Sequence, residues 1–201
     1  MYTLTKEILL LTEIAACIAS DNFKLLQSKS NNYKKQGYDP LKLYELILQS
    51  YLFCGFPAAI ESLKIFRKHF NDLEIQKYNH NVIEFRSSGI VNCKLIYKKN
   101  YKKLIENMNS LGPDLKEWML IEGYGKVLGR PNLSLKDREL VNVAILCTHY
   151  YESQLHSHMR GCLNLGIDKK VIKKMLGNLK SISDMKNINK AMKLLDKITI
   201  S

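Results

Sequence analysis

The segment 129–164 constrains the fold more than any other part of the chain. Pro131 ends a helical pattern, because proline cannot continue a helix, and Gly129 can take the left-handed conformation that often closes one. Ser134 then stands where a helix N-cap is expected, with Asp137 three residues later as a weaker form of a capping box. The segment therefore predicts a turn followed by two successive helices.

Helical spacing of apolar residues continues along most of the chain. Leu43, Leu46 and Ile47, for example, recur at intervals of three and four residues. Asp39 can cap their helix, and Pro40 at the first helical position loses no N–H that the helix needs. We therefore predict an all-α fold. Besides the segment above, the predicted helices cover residues 4–19, 40–53, 57–70, 97–109, 113–128, 168–179 and 184–197.

The polar stretch 71–92 interrupts these helical patterns and is predicted to be a linker. The neighbouring run 90–97 alternates between apolar and polar residues over a short distance, which fits either a short strand or an irregular connector. We accordingly predict a single all-helical domain. Its first repeat would span about 1–70, a connector 71–96, and a second repeat 97–201.

A weak internal similarity is the reason for the two predicted repeats. Glu45-Leu46 and Glu139-Leu140 each begin an apolar helix that is followed by a break and another amphipathic helix. Two helical hairpins could then cover each other's apolar faces. Chance similarity between two amphipathic hairpins is the alternative.

The composition is typical of a soluble globular protein, with 46% hydrophobic and 25% charged residues. The early apolar run 8–11 is far too short to span a bilayer. We recognise no basic start followed by a long apolar stretch, which a secretory signal would need. The sequence therefore predicts a cytoplasmic protein that does not bind a membrane.

The formal net charge of +12 raises the question of nucleic-acid binding. Such binding needs a clustered basic face with groups that read or stack on bases. The lysine pairs are instead spread over several predicted helices: Lys98-Lys99, Lys102-Lys103, Lys169-Lys170 and Lys173-Lys174. Solvated helix faces explain them better, so we do not expect a nucleic-acid partner.

The five cysteines form no CxxC pair and no spacing typical of zinc ligands. Scattered cysteines in a chain without a secretion signal are usually reduced and buried as small apolar side chains. The sequence therefore predicts no disulfides and no metal site.

Two motifs carry a family resemblance. GRPNLSLKDREL at 129–140 and QLHSHMRGCLN at 154–164 resemble the carboxymuconolactone decarboxylase family, which includes the alkylhydroperoxidase D-like proteins. The similarity extends to 48–60 and 115–128 and covers about residues 40 to 177. It implies an alkylhydroperoxidase D-like helical bundle, assembled as a homo-oligomer such as a trimer or hexamer.

The resemblance also indicates which chemistry to exclude. In the peroxidase branch of the family, a glutamate, a CxxC pair and a histidine form a proton relay to the reactive thiol. Glu139 and His158 stand at the glutamate and histidine positions, but Tyr151 and Gln154 occupy the two cysteine positions. Neither can form a thiolate or a disulfide, so peroxide reduction by that mechanism is not expected. The decarboxylase branch also lacks the cysteine pair and keeps the histidine.

What the decarboxylase branch implies is proton-transfer chemistry without a metal or an organic cofactor, on a small anionic, lactone-type substrate. His158 would be the proton donor, and Glu139 would hold its tautomer and stabilise its charged form. A glutamate–histidine pair that merely satisfies two buried groups is the alternative. Arg130 could bind a substrate carboxylate or cap the preceding helix. Tyr151 could place a hydroxyl in the pocket where the relatives have a thiol.

The sequence thus predicts a decarboxylase-like lyase. The alternative is an alkylhydroperoxidase D-like protein without peroxidase activity, acting as a binding or structural oligomer.

Overall fold

A computed structural model describes residues 2–79 and 81–199 of the chain. Within these residues the fold consists of α-helices with short 3-10 and π-helical segments and has no β-strand, which confirms the all-α prediction. The helices are α1 (Lys6–Ala19), α2 (Phe23–Lys35), α3 (Pro40–His69), α4 (Val82–Tyr97), α5 (Tyr101–Leu111), α6 (Pro113–Trp118), α7 (Leu135–His149), α8 (Glu152–Asn164), α9 (Lys169–Asn178) and α10 (Met185–Lys197). A π-helical segment, Met119–Val127, follows α6 directly.

Side-chain caps set the start of the helices that position the site. The Asp39 carboxylate accepts a hydrogen bond from the Leu41 N–H at the start of α3, and Pro40 is the first helical residue. The Ser134 hydroxyl accepts from the Asp137 N–H at the start of α7. Both predicted caps are therefore confirmed, and each satisfies a backbone donor that a helix start leaves unpaired.

The end of the helical pattern before α7 differs from the prediction. Gly129 does not take the left-handed conformation, and its N–H bonds to the carbonyl of Gly125 at 3.1 Å. Asn132 takes it instead, with φ of 68°. Asparagine tolerates this conformation better than most residues, so the turn is made three residues later than predicted.

The predicted connector 71–96 is wrong over its second half, because residues 82–97 form α4. The Asn81 side chain caps this helix by accepting from the N–H groups of Ile83 and Glu84. The run that looked alternating is a helix with one buried face, carrying Gly89, Cys93 and Ile96. Exposed apolar residues between them obscured the helical period.

Two compact units divide the chain. The first joins Met1–Leu73 to Asn132–Ser201, and the second is Glu74–Pro131. The first unit therefore holds α1 to α3 and α7 to α10. The second holds α4 to α6 and the π-helical segment. These borders do not follow the predicted repeat limits at 70 and 97, and the two-repeat hypothesis stays a prediction.

The second unit is built on a close approach between α4 and the π-helical segment. A Cβ atom added to Gly89 would lie 1.9 Å from the carbonyl oxygen of Leu120, so only glycine fits there. The Asn92 side chain donates to the Tyr124 carbonyl at 2.8 Å, and the hydroxyls of Tyr97 and Tyr124 are 2.7 Å apart. Backbone proximity and these bonds hold the two segments together.

Helix α7 forms the centre of the first unit. Every residue from Arg138 to Cys147 is buried, and α1, α3 and α8 pack around the helix. The strip Leu11, Ile14 and Ile18 of α1 is fully buried. Because α7 is covered on all sides, any polar side chain on it must find a partner inside the protein.

Helix α3 is bent where the sequence predicted a break. Gly55 has φ of 77° and ψ of 170°, values that a residue with a side chain rarely adopts, and Pro57 follows two residues later. By length and composition alone, α3 could also cross a membrane. Its bend and the buried carboxylate of Glu45 in its first half fit a core helix.

The stability of the first unit is expected to fall in acid through Glu7. Burial raises the pKa of this carboxyl, but hydrogen bonds from Lys42 and Tyr33 outweigh burial and hold the pKa below its usual value. A lowered pKa in the folded state stabilises the protein above the unfolded pKa, and this contribution is lost as the pH falls through the folded value. Urea unfolding measured from about pH 5 downward should show a steeper loss for the wild type than for Glu7→Gln. Equal slopes would contradict the proposed linkage.

Candidate active site

Six polar side chains from three helices meet inside the first unit, and we call them the polar cluster. They are Glu45 and Gln49 of α3, Arg138, Glu139 and Asn142 of α7, and His158 of α8. Five of them are at most 1% exposed, and His158 is 7% exposed. Helical spacing explains their convergence, since Glu45 and Gln49 lie one turn apart on the same face of α3.

Arg138 is the largest fully buried side chain of the cluster. Its Nη2 donates to Glu45 Oε2 at 2.8 Å, its Nη1 to Gln49 Oε1 at 3.1 Å, and its Nε to the carbonyl of Leu133 at 3.1 Å. A buried guanidinium is tolerated only when it is paired and hydrogen-bonded in this way. Arg138 thus fastens α7 to α3.

His158 and Glu139 form the contact that the sequence predicted. The Nδ1 atom of His158 lies 2.9 Å from Glu139 Oε2, joining α8 to α7. The other carboxylate oxygen, Oε1, accepts a hydrogen bond from Asn142 Nδ2 at 3.1 Å. The ring of Phe53 meets the imidazole edge-on, with 5.8 Å between the ring centroids. The imidazole is therefore held by a carboxylate on one side and an aromatic ring on another.

The second imidazole nitrogen of His158, Nε2, has different surroundings from Nδ1. In the part of the chain that the structure describes, His158 Nε2 makes no hydrogen bond, while every fully buried side-chain nitrogen and oxygen there has a partner. It follows that Nε2 is not fully buried. A bound molecule could therefore exchange a proton with His158 at Nε2.

Arg130 and Tyr151, the predicted substrate-binding residues, are not members of the polar cluster. Arg130 belongs to the second unit, where its guanidinium lies 4.6 Å from the centre of the Tyr78 ring. Tyr151 precedes α8, is 56% exposed and contacts the ring of His149. Their roles toward a substrate stay predictions.

The sequence patterns assign no role to Gln49, Arg138 or Asn142. A signal for each was present, because each is a polar residue within an otherwise apolar helical face. Gln49 follows Glu45 by one turn, and Asn142 follows Glu139 by three residues. Their mutual contacts depend on how α3 packs on α7, which the spacing within one helix does not specify.

The five cysteines, all among the described residues, are thiols, and four of them are buried. Burial raises the pKa of Cys54 and of Cys147 to about 12, and it also raises that of Cys162. These thiols are protonated near neutral pH and are poor nucleophiles. Among the described residues, no group of histidine, cysteine and acidic side chains could hold a metal ion.

The buried ion pair gives a stability prediction. Arg138→Met leaves the Glu45 carboxylate buried without its charged partner, which should lower the free energy of unfolding by about 3–5 kcal/mol. Adding Glu45→Leu removes the stranded charge and should restore much of the loss. Urea unfolding of the two single variants and the double variant measures this. A double variant that is less stable than Arg138→Met would contradict the assignment of the pair.

Part of the chain matches a known protein family. Residues 113–197, which include Glu139 and His158, match the model of the carboxymuconolactone decarboxylase family. The 4-carboxymuconolactone decarboxylase of Acinetobacter baylyi is 26% identical over 108 residues, which cover 54% of this chain and 81% of that protein.

Two yeast proteins are similar over a longer part of the chain. Peroxisomal protein 2 of Saccharomyces cerevisiae is 29% identical over 140 residues, covering 69% of this chain and 45% of that protein. Peroxisomal protein 2 of Schizosaccharomyces pombe is 29% identical over 136 residues, covering 65% of this chain and 63% of that protein. The chain thus spans less than two thirds of the length of either yeast relative. The family model, over residues 113–197, and the Acinetobacter relative confirm the resemblance to the carboxymuconolactone decarboxylase family.

Proposed function

We propose that this protein is a carboxymuconolactone decarboxylase-like lyase that acts without a cofactor on a small anionic, lactone-type substrate. The observation that carries the proposal is the state of His158. Its Nδ1 is bound to the buried Glu139, and its Nε2 is left without a hydrogen bond in the described part of the chain. A general acid–base histidine needs this arrangement of one oriented nitrogen and one available nitrogen.

The reaction can be written with these groups. The bond between the substrate carbon and its carboxylate breaks, carbon dioxide leaves, and the bonding electrons pass through the conjugated lactone to its carbonyl oxygen. His158 in its charged form then delivers a proton from Nε2 to the substrate carbon, and the electrons return from the oxygen. Glu139 stabilises the charged imidazole before this transfer. His158 regains a proton from water.

The remaining predicted residues complete the proposal. Arg130 would pair with a substrate carboxylate through its planar guanidinium, and Tyr151 would supply a hydroxyl. The name of the Acinetobacter relative supports decarboxylation as the reaction class. A homo-oligomer, as a trimer or hexamer, remains the proposed assembly.

A binding or structural role is the second candidate. It is favoured by the complete pairing of five of the six cluster side chains within the protein, which a purely structural network also needs. The names of the two yeast relatives state a location and no reaction. They make the peroxisome an alternative to the cytoplasmic location that we propose.

Turnover of 4-carboxymuconolactone tests the proposed function. The wild-type protein should release carbon dioxide from this substrate, and His158→Ala should lower kcat by at least about 100-fold because the proton donor is lost. His156→Ala is the matched control, since His156 lies on the same helix but is only half-buried and outside the polar cluster. We expect the control to retain wild-type turnover.

Two outcomes would contradict the proposal in different ways. A folded wild-type protein that does not turn over the substrate would exclude the decarboxylase activity and leave the binding or structural role. Equal turnover by the wild type and His158→Ala would exclude His158 as the proton donor. Circular dichroism of each variant separates loss of the site from loss of the fold.

A further inference from the structure

Two buried amides, Gln49 and Asn142, lie between Arg138 and the Glu139–His158 pair. An amide side chain has an oxygen that accepts hydrogen bonds and a nitrogen that donates them, so its orientation decides what it offers to each neighbour. The contacts of Arg138 fix the orientation of both amides in turn.

Gln49 is fixed by two groups of Arg138 that have opposite requirements. The guanidinium nitrogen Nη1 can only donate, so the Gln49 atom 3.1 Å from it must be the oxygen Oε1. The backbone carbonyl of Arg138 can only accept, so the Gln49 atom 2.9 Å from it must be the nitrogen Nε2. The two requirements agree, and the amide of Gln49 has one possible orientation.

The same reasoning fixes Asn142. The nitrogen Nε2 of Gln49 also lies 2.6 Å from the Asn142 side chain, so the atom facing it must be the acceptor Oδ1. The amide nitrogen Nδ2 of Asn142 is thereby turned the other way. It donates to Glu139 Oε1 at 3.1 Å and lies 3.4 Å from His158 Nδ1.

The N–H group of Asn142 occupies Oε1 of Glu139 and holds this side chain in place. The other oxygen, Oε2, then accepts a hydrogen bond from the nitrogen it faces, which is His158 Nδ1 at 2.9 Å. With its proton on Nε2 instead, the neutral imidazole would turn the lone pair of Nδ1 toward this carboxylate, and the two would repel each other. The amide orientations that Arg138 sets therefore also favour the imidazole tautomer with its proton on Nδ1.

We propose that Gln49 and Asn142 are positioning residues that hold His158 with its proton on Nδ1. This leaves Nε2, the nitrogen that is not fully buried, to take up and release the reacting proton. This role rests on the proposed function in one respect, which is that Nε2 takes part in the reaction. The tautomer itself is a property of the resting protein.

Nitrogen NMR of the substrate-free protein tests the tautomer directly. Protein labelled with nitrogen-15 histidine gives long-range proton–nitrogen spectra in which the protonated and unprotonated ring nitrogens are distinguished. The chain has five histidines, and the spectrum of His158→Gln identifies the signal of His158. At a pH where the imidazole is neutral, the wild type should show the proton on Nδ1.

Variants of the two amides test the positioning role. Asn142→Leu removes the donor to Glu139, and Gln49→Met removes the group that orients Asn142. Each should shift the His158 signals toward the Nε2-protonated form or a mixture of both forms. Ser62→Ala is the control, because it removes a buried hydroxyl of α3 whose one hydrogen bond among the described residues is to the carbonyl of Ala58. It should keep the wild-type spectrum.

A wild-type spectrum with the proton on Nε2 would overturn the inference, and so would an unchanged His158 signal in both amide variants. If Asn142→Leu does not fold, the wild-type and Gln49→Met spectra decide. A failed decarboxylase assay would exclude the proposed function without altering these spectra, so the two failures can be told apart.

Discussion

The enclosure of the Arg138 guanidinium is the constraint on which the rest of the first unit depends. A charge on a central helix cannot reach water, so the neighbouring elements must supply its partners. Glu45 and Gln49, one turn apart on α3, accept hydrogen bonds from Nη2 and Nη1 of the guanidinium. The Leu133 carbonyl accepts from the third nitrogen, Nε. This set of bonds forms in only one register of α3 against α7. Apolar packing favours contact between the two helices but specifies their register less sharply.

Arg138 and Glu139 are consecutive residues, so they leave α7 about 100° apart around its axis. The first is directed to α3 and the second to α8, where it meets His158. Because Glu45 neutralises Arg138, the charge of Glu139 remains available to the imidazole. The register that Arg138 sets between α3 and α7 also places Gln49 against Asn142. The helix that anchors the fold therefore also orients the site.

The sequence predicted the features that depend on short-range spacing. The caps at Asp39 and Ser134, the break at Gly55 and the Glu139–His158 contact are of this kind, the last with the help of the family motif. Helix α4 was missed because exposed Val91 and Leu95 lie among its buried residues and hide the period. The amide contacts of Gln49 and Asn142 could not be predicted, since they depend on the packing of two helices that are distant in sequence.

The polar cluster also bears on whether the site is structural or chemical. A network that serves stability alone gains most when each polar group is paired and out of water, or is replaced by apolar side chains. Here the described network pairs Nδ1 of His158 and leaves Nε2 unbonded at a residue that is 7% exposed. The family resemblance implies that Tyr151 and Gln154 take the place of the thiols of the peroxidase branch, and under the proposed function such a nitrogen would serve proton transfer and not thiol chemistry. An oriented histidine with one open nitrogen is more than stability requires, which supports the proposed proton-transfer function.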